Sequence, residues 1–183
     1  LAVQAGERVL DLACGNGAQS KYFDQRIGSN GFLRCVDIHE PSINSVRLSI
    51  GEKPGREFMT SDMMNFSTYL KQCDSYTLAH CSFALPYASE PALVIRQLAN
   101  VLQRPLGRLA ISLPCRPHGM VEFAKSVHSI PSTVEPAIDL GESLCVPLMR
   151  DLFAELDVSY FNSNLLFDNV DDFMTLYRNT TYY

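Results

Sequence analysis

Val9-Leu-Asp-Leu-Ala-Cys-Gly-Asn-Gly17, VLDLACGNG, joins an apolar run that carries one acid to a loop with two glycines. Arg8 to Cys14 is bounded by Gly6 and Gly15 and is hydrophobic on both faces, which predicts a buried strand of a parallel sheet. A helix is expected over Ala18 to Ile27, ending at Gly28, followed by a second strand from Gly31 to Asp37. Pro41 suits the first turn of another helix through Ile50, with Ile43, Val46 and Ile50 on one face. The glycine loop would therefore sit at the carboxyl end of the first strand, where open α/β sheets bind ligands.

The alternation continues with a strand at Glu57 to Ser61, a connection containing Phe66, Tyr69 and Leu70, and a strand from Asp74 to Ala79. Pro91 to Leu102 reads as a helix with Leu93, Val94, Leu98, Val101 and Leu102 as its apolar stripe, and Arg108 to Leu113 as the next strand. Strands alternating with helices imply right-handed crossovers, hence a doubly wound, mostly parallel α/β sheet with helices on both faces. Beyond Pro114 the pattern loosens. Five prolines fall between Pro114 and Pro147, with a helical turn or two around Val121 to Ile130. A helix from Ser143 to Leu156, a strand from Val158 to Phe167 and an amphipathic segment from Val170 to Tyr177 follow. The expected organisation is a single domain over 1–183: a core at 1–113, a lid-like insertion at 114–141, and a C-terminal helix and strand at 142–183.

The 183 residues are 46% hydrophobic and 19% charged, with a net charge of −5. That acidity excludes a protein whose main partner is a phosphate backbone, which requires clustered Lys and Arg. The six cysteines show no C-x-x-C pair and no Cys/His cluster with zinc spacing, so no metal is expected and the thiols are read as reduced. No apolar stretch approaches the ~20 residues of a membrane span and Leu1 opens no signal peptide, so a cytoplasmic protein is expected.

The loop and its acids narrow the ligand. Gly15 and Gly17 let backbone approach a ligand that a Cβ would obstruct. Asp11 lies within the strand and needs hydrogen-bonded or cationic company to offset desolvation; an ammonium group on a ligand is one source. Asp37 ends the second strand twenty residues after Gly17, where a carboxylate accepts both hydroxyls of a ribose, although it also suits the start of the following helix. Dinucleotide binding would need a third glycine at the position of Ser20 and has no use for Asp11, and no P-loop is present. A nucleoside with an amino-acid tail and no phosphate remains.

Leu10 to Gly17, LDLACGNG, resembles the first motif, LD-x-(A/G)-CG-x-G, of the class I S-adenosylmethionine-dependent methyltransferases of small-molecule type. The resemblance extends to CVDIHEPSI at 35–43, FMTSDMMNF at 58–66, CDSYTLAHCSFALPY at 73–87 and VLQRPLGRLAISL at 101–113, about two thirds of the chain. Arg104-Pro105-Leu106-Gly107 departs from the family's Leu-Lys-Pro-Gly-Gly before strand five. The resemblance implies a Rossmann-like fold and S-adenosylmethionine as cofactor. It implies that Asp11 supports the methionine end, that backbone at Ala13, Gly15 and Gly17 lines the cofactor, and that Asp37 takes the ribose hydroxyls. Ile38 would pack on adenine, Asp62 would accept from its amino group, and Met63 would contact the ring. For Asp62 and Met63 the alternatives are a turn acid and a core methionine.

The implied activity is methyl transfer to O, N or C of a small organic acceptor. His80, expected at the end of the Asp74–Ala79 strand, is the candidate general base, since an unperturbed imidazole titrates near neutrality; the same ring can instead bond the methionine tail or a loop. His118, His128, Met120, Phe123, Phe161 and Phe167 carry no signature, and packing or surface roles are expected for them. Ala79-His80-Cys81-Ser82 stands where nucleic-acid amino-methylating enzymes carry Asp/Asn-Pro-Pro-Tyr/Phe, and it offers no acid to hold Mg²⁺ as catechol-type transfer needs. The paired-glutamate loop of protein-arginine methylation is also missing. Retention of the cofactor site without methylation, as a scaffold or a cyclase, is the alternative. The family's seventh strand finds no candidate after Val158 to Phe167, so the fold is expected to be truncated at its C-terminal strand and the natural protein to be longer at both ends.

Overall fold

The computed structural model describes residues 2–70, 75–115, 119, 122, 125–126, 134–161 and 168–178. The chain divides into two compact units, Leu1–Ser112 and Leu113–Tyr183. Among the described residues the first contains five strands, β1 Arg8–Leu12, β2 Phe32–Asp37, β3 Arg56–Thr60, β4 Leu78–Ser82 and β5 Arg108–Ser112, and three α-helices, α1 Ala18–Ile27, α2 Glu40–Ile50 and α3 Pro91–Asn100. The strands form one parallel sheet in the order β3-β2-β1-β4-β5. From β1 the chain winds outward through β2 and β3, and later in the opposite sense from β4 to β5. Right-handed crossovers then put α1 and α2 on one face and α3 on the other. The reversal lies between β1 and β4, the place where such sheets open a crevice.

Both faces are apolar because both are covered. Val9, Leu33, Cys35 and Leu78 pack with Phe23 and Ile27 of α1 and Ile43 and Val46 of α2. Leu10 and Leu12, on the opposite face by strand alternation, are fully buried, as are Val94, Ile95 and Leu98 of α3. Each such side chain contributes about 2 kcal/mol by leaving water. In α3 the structure buries Ile95 and leaves Leu93 39% exposed, a rotation of the expected stripe.

A guanidinium clamp secures the far end of this unit. Arg56, at the start of β3, donates to Asp24 Oδ1 of α1 at 2.5 Å and to the carbonyls of Gly31, Gly28 and Gly55 at 2.8, 2.8 and 3.1 Å. Lys53 Nζ reaches Asp24 Oδ2 at 3.0 Å. Burial alone would raise the Asp24 carboxyl, but hydrogen bonds from Arg56 and Lys53 outweigh it and hold the group below its ordinary 3.8. A carboxyl depressed in the folded state contributes stability that is present above its unfolded value and lost as pH falls through the lowered one. Asp24→Asn should therefore cost about 2 kcal/mol at pH 7, because Arg56 loses its anionic partner. The gap between the urea midpoints of wild type and variant should close as pH drops below 3.8. A gap that persists unchanged in acid would refute the pairing.

Three sequence expectations change. The fourth strand runs Leu78–Ser82, not Asp74–Ala79: Tyr76 pairs only as an isolated bridge with Leu102, and Asp74 lies outside the described residues. His80 is thereby the middle of a strand rather than its end. In the second unit the expected Ser143–Leu156 helix is an earlier, longer run: α4 Val134–Leu140, a π turn Gly141–Cys145 and α5 Val146–Leu152. Pro136 is tolerated because it occupies the first turn of α4, where N–H groups lack helical partners. Pro147 follows the π turn, where the hydrogen-bond register shifts and a missing N–H does least harm. The third change is the expected Val158–Phe167 strand. Residues 158–161 carry no regular structure, and 162–167 lie outside the described residues. Among the described residues this unit is helical, so Val158 and Phe161 have no strand edge of their own unit to join and stay 41% and 84% exposed. The amphipathic C-terminal segment is α6, Val170–Arg178. Glu122, Lys125 and Ser126 are helical, within the turns expected around 121–130. No helix of the described residues is long and apolar enough to cross a membrane.

Candidate functional site

β1 ends at Leu12, and the chain turns sharply into α1. Ala13, Gly15 and Gly17 all have positive φ, 56°, 54° and 82°. Gly17 caps α1 without any side-chain acceptor, and its N–H donates to Cys14 O at 3.0 Å. A Cβ on Gly17 would stand 2.6 Å from Val46 Cγ2, whereas one on Gly15 would meet nothing within 4 Å. The two glycines thus have different reasons. Gly17 permits α1 to pack on α2, and Gly15 leaves space open above the loop.

Asp37 ties the tips of β1 and β2. Its Oδ2 accepts the Gly15 N–H at 2.8 Å, and its Oδ1 accepts the His39 N–H at 2.9 Å. Each oxygen keeps a second lone pair for a hydroxyl donor. Ile38 follows, 66% exposed, an apolar surface beside the carboxylate. The segment after β3 is held to this edge by the Ser61 N–H on Asp37 O at 2.9 Å. Asp62 Oδ1 accepts the Met64 N–H at 2.8 Å, a turn that leaves the second carboxylate oxygen available. Gln97 Nε2 of α3 donates to Met64 O at 3.2 Å and steadies the same turn.

These segments enclose a cleft of about 140 Å³ lined by Ala13, Asp37, Ile38, Ser61, Asp62, Met63 and Tyr87. Five of the residues singled out from sequence meet there: Ala13, Asp37, Ile38, Asp62 and Met63. Ser61 and Tyr87 were not foreseen. Tyr87 ends a 3-10 turn at Leu85–Tyr87 and is 73% exposed; an aromatic after Pro86 was its only signal in the sequence. Phe83, just past β4, is the other non-glycine residue with positive φ among the described residues, at 56°, and its ring is largely exposed.

Asp11 and His80 are not among the residues that line this cleft. They are register partners on β1 and β4, and both are buried. Asp11 finds the company its burial requires inside the chain: Ser20 donates to Oδ2 at 2.5 Å and His80 Nδ1 to Oδ1 at 2.8 Å. The His80 ring lies edge to face against Phe23, centroids 5.1 Å apart. The Cys14 thiol is pushed up by its hydrogen bond with Cys35, by burial, and by the neighbouring Cys35, Asp11 and Asp37, so it stays a neutral thiol at pH 7. Among the described residues no three His, Cys, Asp or Glu side chains converge as a metal ion would need. Phe161 is an exposed residue of the second unit, while His118, Met120, Phe123, His128 and Phe167 lie outside the described residues.

Comparison with known proteins agrees with the geometry. The chain is 29% identical over 161 residues to the ubiquinone/menaquinone biosynthesis C-methyltransferase UbiE of Pseudomonas fluorescens, covering 86% of this chain and 57% of that protein. It is 29% identical over 107 residues to the ubiquinone biosynthesis O-methyltransferase of Aeromonas salmonicida, covering 58% of this chain and 43% of that one. The chain thus spans less than two thirds of the length of either. A solved S-adenosylmethionine-dependent methyltransferase from Mesorhizobium loti superposes with a TM-score of 0.53 at 26% identity, over 62% of this chain and 50% of the other. Residues 9–105, more than half of the sequence, match the methyltransferase domain family, and the chain belongs to it, as a class I S-adenosylmethionine-dependent methyltransferase.

Proposed function

We propose that the protein transfers a methyl group from S-adenosylmethionine to O, N or C of a small organic acceptor, and that residues 1–113 carry the cofactor site. The observation that carries the reading is the Asp37 carboxylate, oriented by two backbone N–H groups on the rim of a cleft that Ala13, Ile38, Asp62 and Met63 also line. Its remaining lone pairs suit the two ribose hydroxyls. Ile38, Met63 and Tyr87 supply the apolar and aromatic surface that a purine requires, and the second Asp62 oxygen suits its exocyclic amine. Open space above Gly15 fits a ligand that passes close to main chain.

Held along Asp37, Ile38, Asp62 and Met63, S-adenosylmethionine would supply an electrophilic methyl to the acceptor's electron pair, with S-adenosylhomocysteine left and the acceptor's proton passing to water. The protein's own task is alignment and exclusion of water. Gly15 and Gly17 shape the loop, and Asp11 stiffens it from below through Ser20 and His80. The names of the relatives, C- and O-methylation in ubiquinone biosynthesis, favour an electron-rich ring as acceptor.

Isothermal titration of the protein with S-adenosylhomocysteine should give saturable heat. Incubation with S-adenosylmethionine and phenolic or quinol acceptors should release S-adenosylhomocysteine. Absence of heat with folded protein overturns the cofactor reading. Binding without release under any acceptor supports instead a domain that holds the cofactor and does not methylate.

A further inference from the structure

We propose that His80 is a positioning residue, which with Ser20 locks Asp11 and so fixes the β1–α1 loop and the first turn of α1 at the cofactor cleft. The proposal rests on the cofactor reading above for its consequence, and on geometry alone for the lock itself.

The lock is built from three elements. Asp11 is the penultimate residue of β1, His80 the middle residue of β4, and Ser20 the third residue of α1. Asp11 is 1% exposed, Ser20 0% and His80 6%, so each hydrogen bond forms away from water and its loss would leave a carboxylate partly unpaired in the core. An ionised carboxylate only accepts, so His80 Nδ1 and Ser20 Oγ both donate to it. Phe23, one helical turn after Ser20, braces the imidazole from the same helix. The helix start cannot tilt or slide without breaking one of these contacts. Ala13, Gly15 and Gly17, the segment with three positive φ values, lie between Asp11 and Ser20 and are pinned at both ends.

A general base needs a ring nitrogen within reach of the acceptor's proton. His80 has Nδ1 committed to Asp11 and a side chain only 8% exposed, under α1. Phe23 of α1 covers the ring edge to face, which leaves little of it for an acceptor to reach. The ring therefore acts through Asp11.

Asparagine distinguishes the roles, since its Nδ2 falls near the imidazole Nδ1 and keeps the donor to Asp11, while it has no basic nitrogen. His80→Leu fills the space without a donor. Two readouts are taken: amide hydrogen exchange over residues 13–21 in the ligand-free protein, and the dissociation constant for S-adenosylhomocysteine with KM and kcat for S-adenosylmethionine. The lock predicts exchange at least tenfold faster and affinity at least tenfold weaker in His80→Leu, with both restored to within about threefold of wild type in His80→Asn. The loss should fall on KM for the cofactor and leave kcat nearly unchanged. Should His80→Leu not fold, Ser20→Ala removes the other donor and is expected to shift both readouts in the same direction by at least threefold. Wild-type exchange in His80→Leu overturns the lock, and so does His80→Asn with normal affinity and kcat reduced a hundredfold, which would make the ring a base. If the wild type takes up no S-adenosylhomocysteine, the cofactor reading fails, whereas the exchange pattern still decides the lock.

Discussion

Asp37→Ala should weaken uptake of S-adenosylhomocysteine at least a hundredfold. A hydrogen bond to a charged acceptor contributes about 1.5 to 3 kcal/mol, and two hydroxyl donors would lose theirs together. The same substitution releases the Gly15 N–H, which adds loop disorder to the loss. Asp37→Asn keeps one carbonyl oxygen and should fall between, at about tenfold. The effect on folding should be small, since the side chain sits on the rim and its partners are backbone groups that water can reach. Calorimetry on the three proteins, with circular dichroism as the control for structure, measures both. Binding by Asp37→Ala within about threefold of wild type would remove the carboxylate from the cofactor site.

Gly17→Ala should have the opposite signature, a large loss of stability. The new methyl would overlap Val46 Cγ2, on a fully buried β-branched side chain with few rotamers to retreat into. The φ of 82° adds the strain of a non-glycine residue in the left-handed region. Together these cost about 3 kcal/mol, or about 9 °C in Tm for a chain of this size. Gly15→Ala shares the positive φ but meets no neighbour, so it should cost only about 1 kcal/mol and act mainly on binding. Pairing Gly17→Ala with Val46→Ala should recover part of the lost Tm, because the two side chains compete for one space. An unchanged Tm in Gly17→Ala would mean that α1 does not pack on α2 this closely.

The legible parts of the sequence were those encoded locally. The β1–α1–β2–α2 half could be read to within two residues, because its apolar periods and glycine stops are contained in each segment. Asp37 stood out by its place at the end of the second strand, whereas Ile38, Asp62 and Met63 were implied only by the family resemblance; the four line one cleft. His80 was misplaced because a strand buried on both faces is a continuous apolar run, and nothing in Tyr76-Thr77-Leu78-Ala79 marks where pairing starts. Asp11 clearly needed partners, yet His80, 69 residues away, could be found only from the register of β1 with β4, and Ser20, nine residues away, only from how α1 packs back on β1. In the second unit the run of prolines obscured the pattern, although Pro136 falls within the first turn of α4.

The bond from the Gly15 amide to Asp37 has a thermodynamic corollary. A loop already stitched to the neighbouring strand tip loses its conformational freedom when the chain folds, not when a guest arrives. The cradle is thus preorganised, and its grip on a nucleoside reflects shape kept ready in advance as much as the contacts made on arrival.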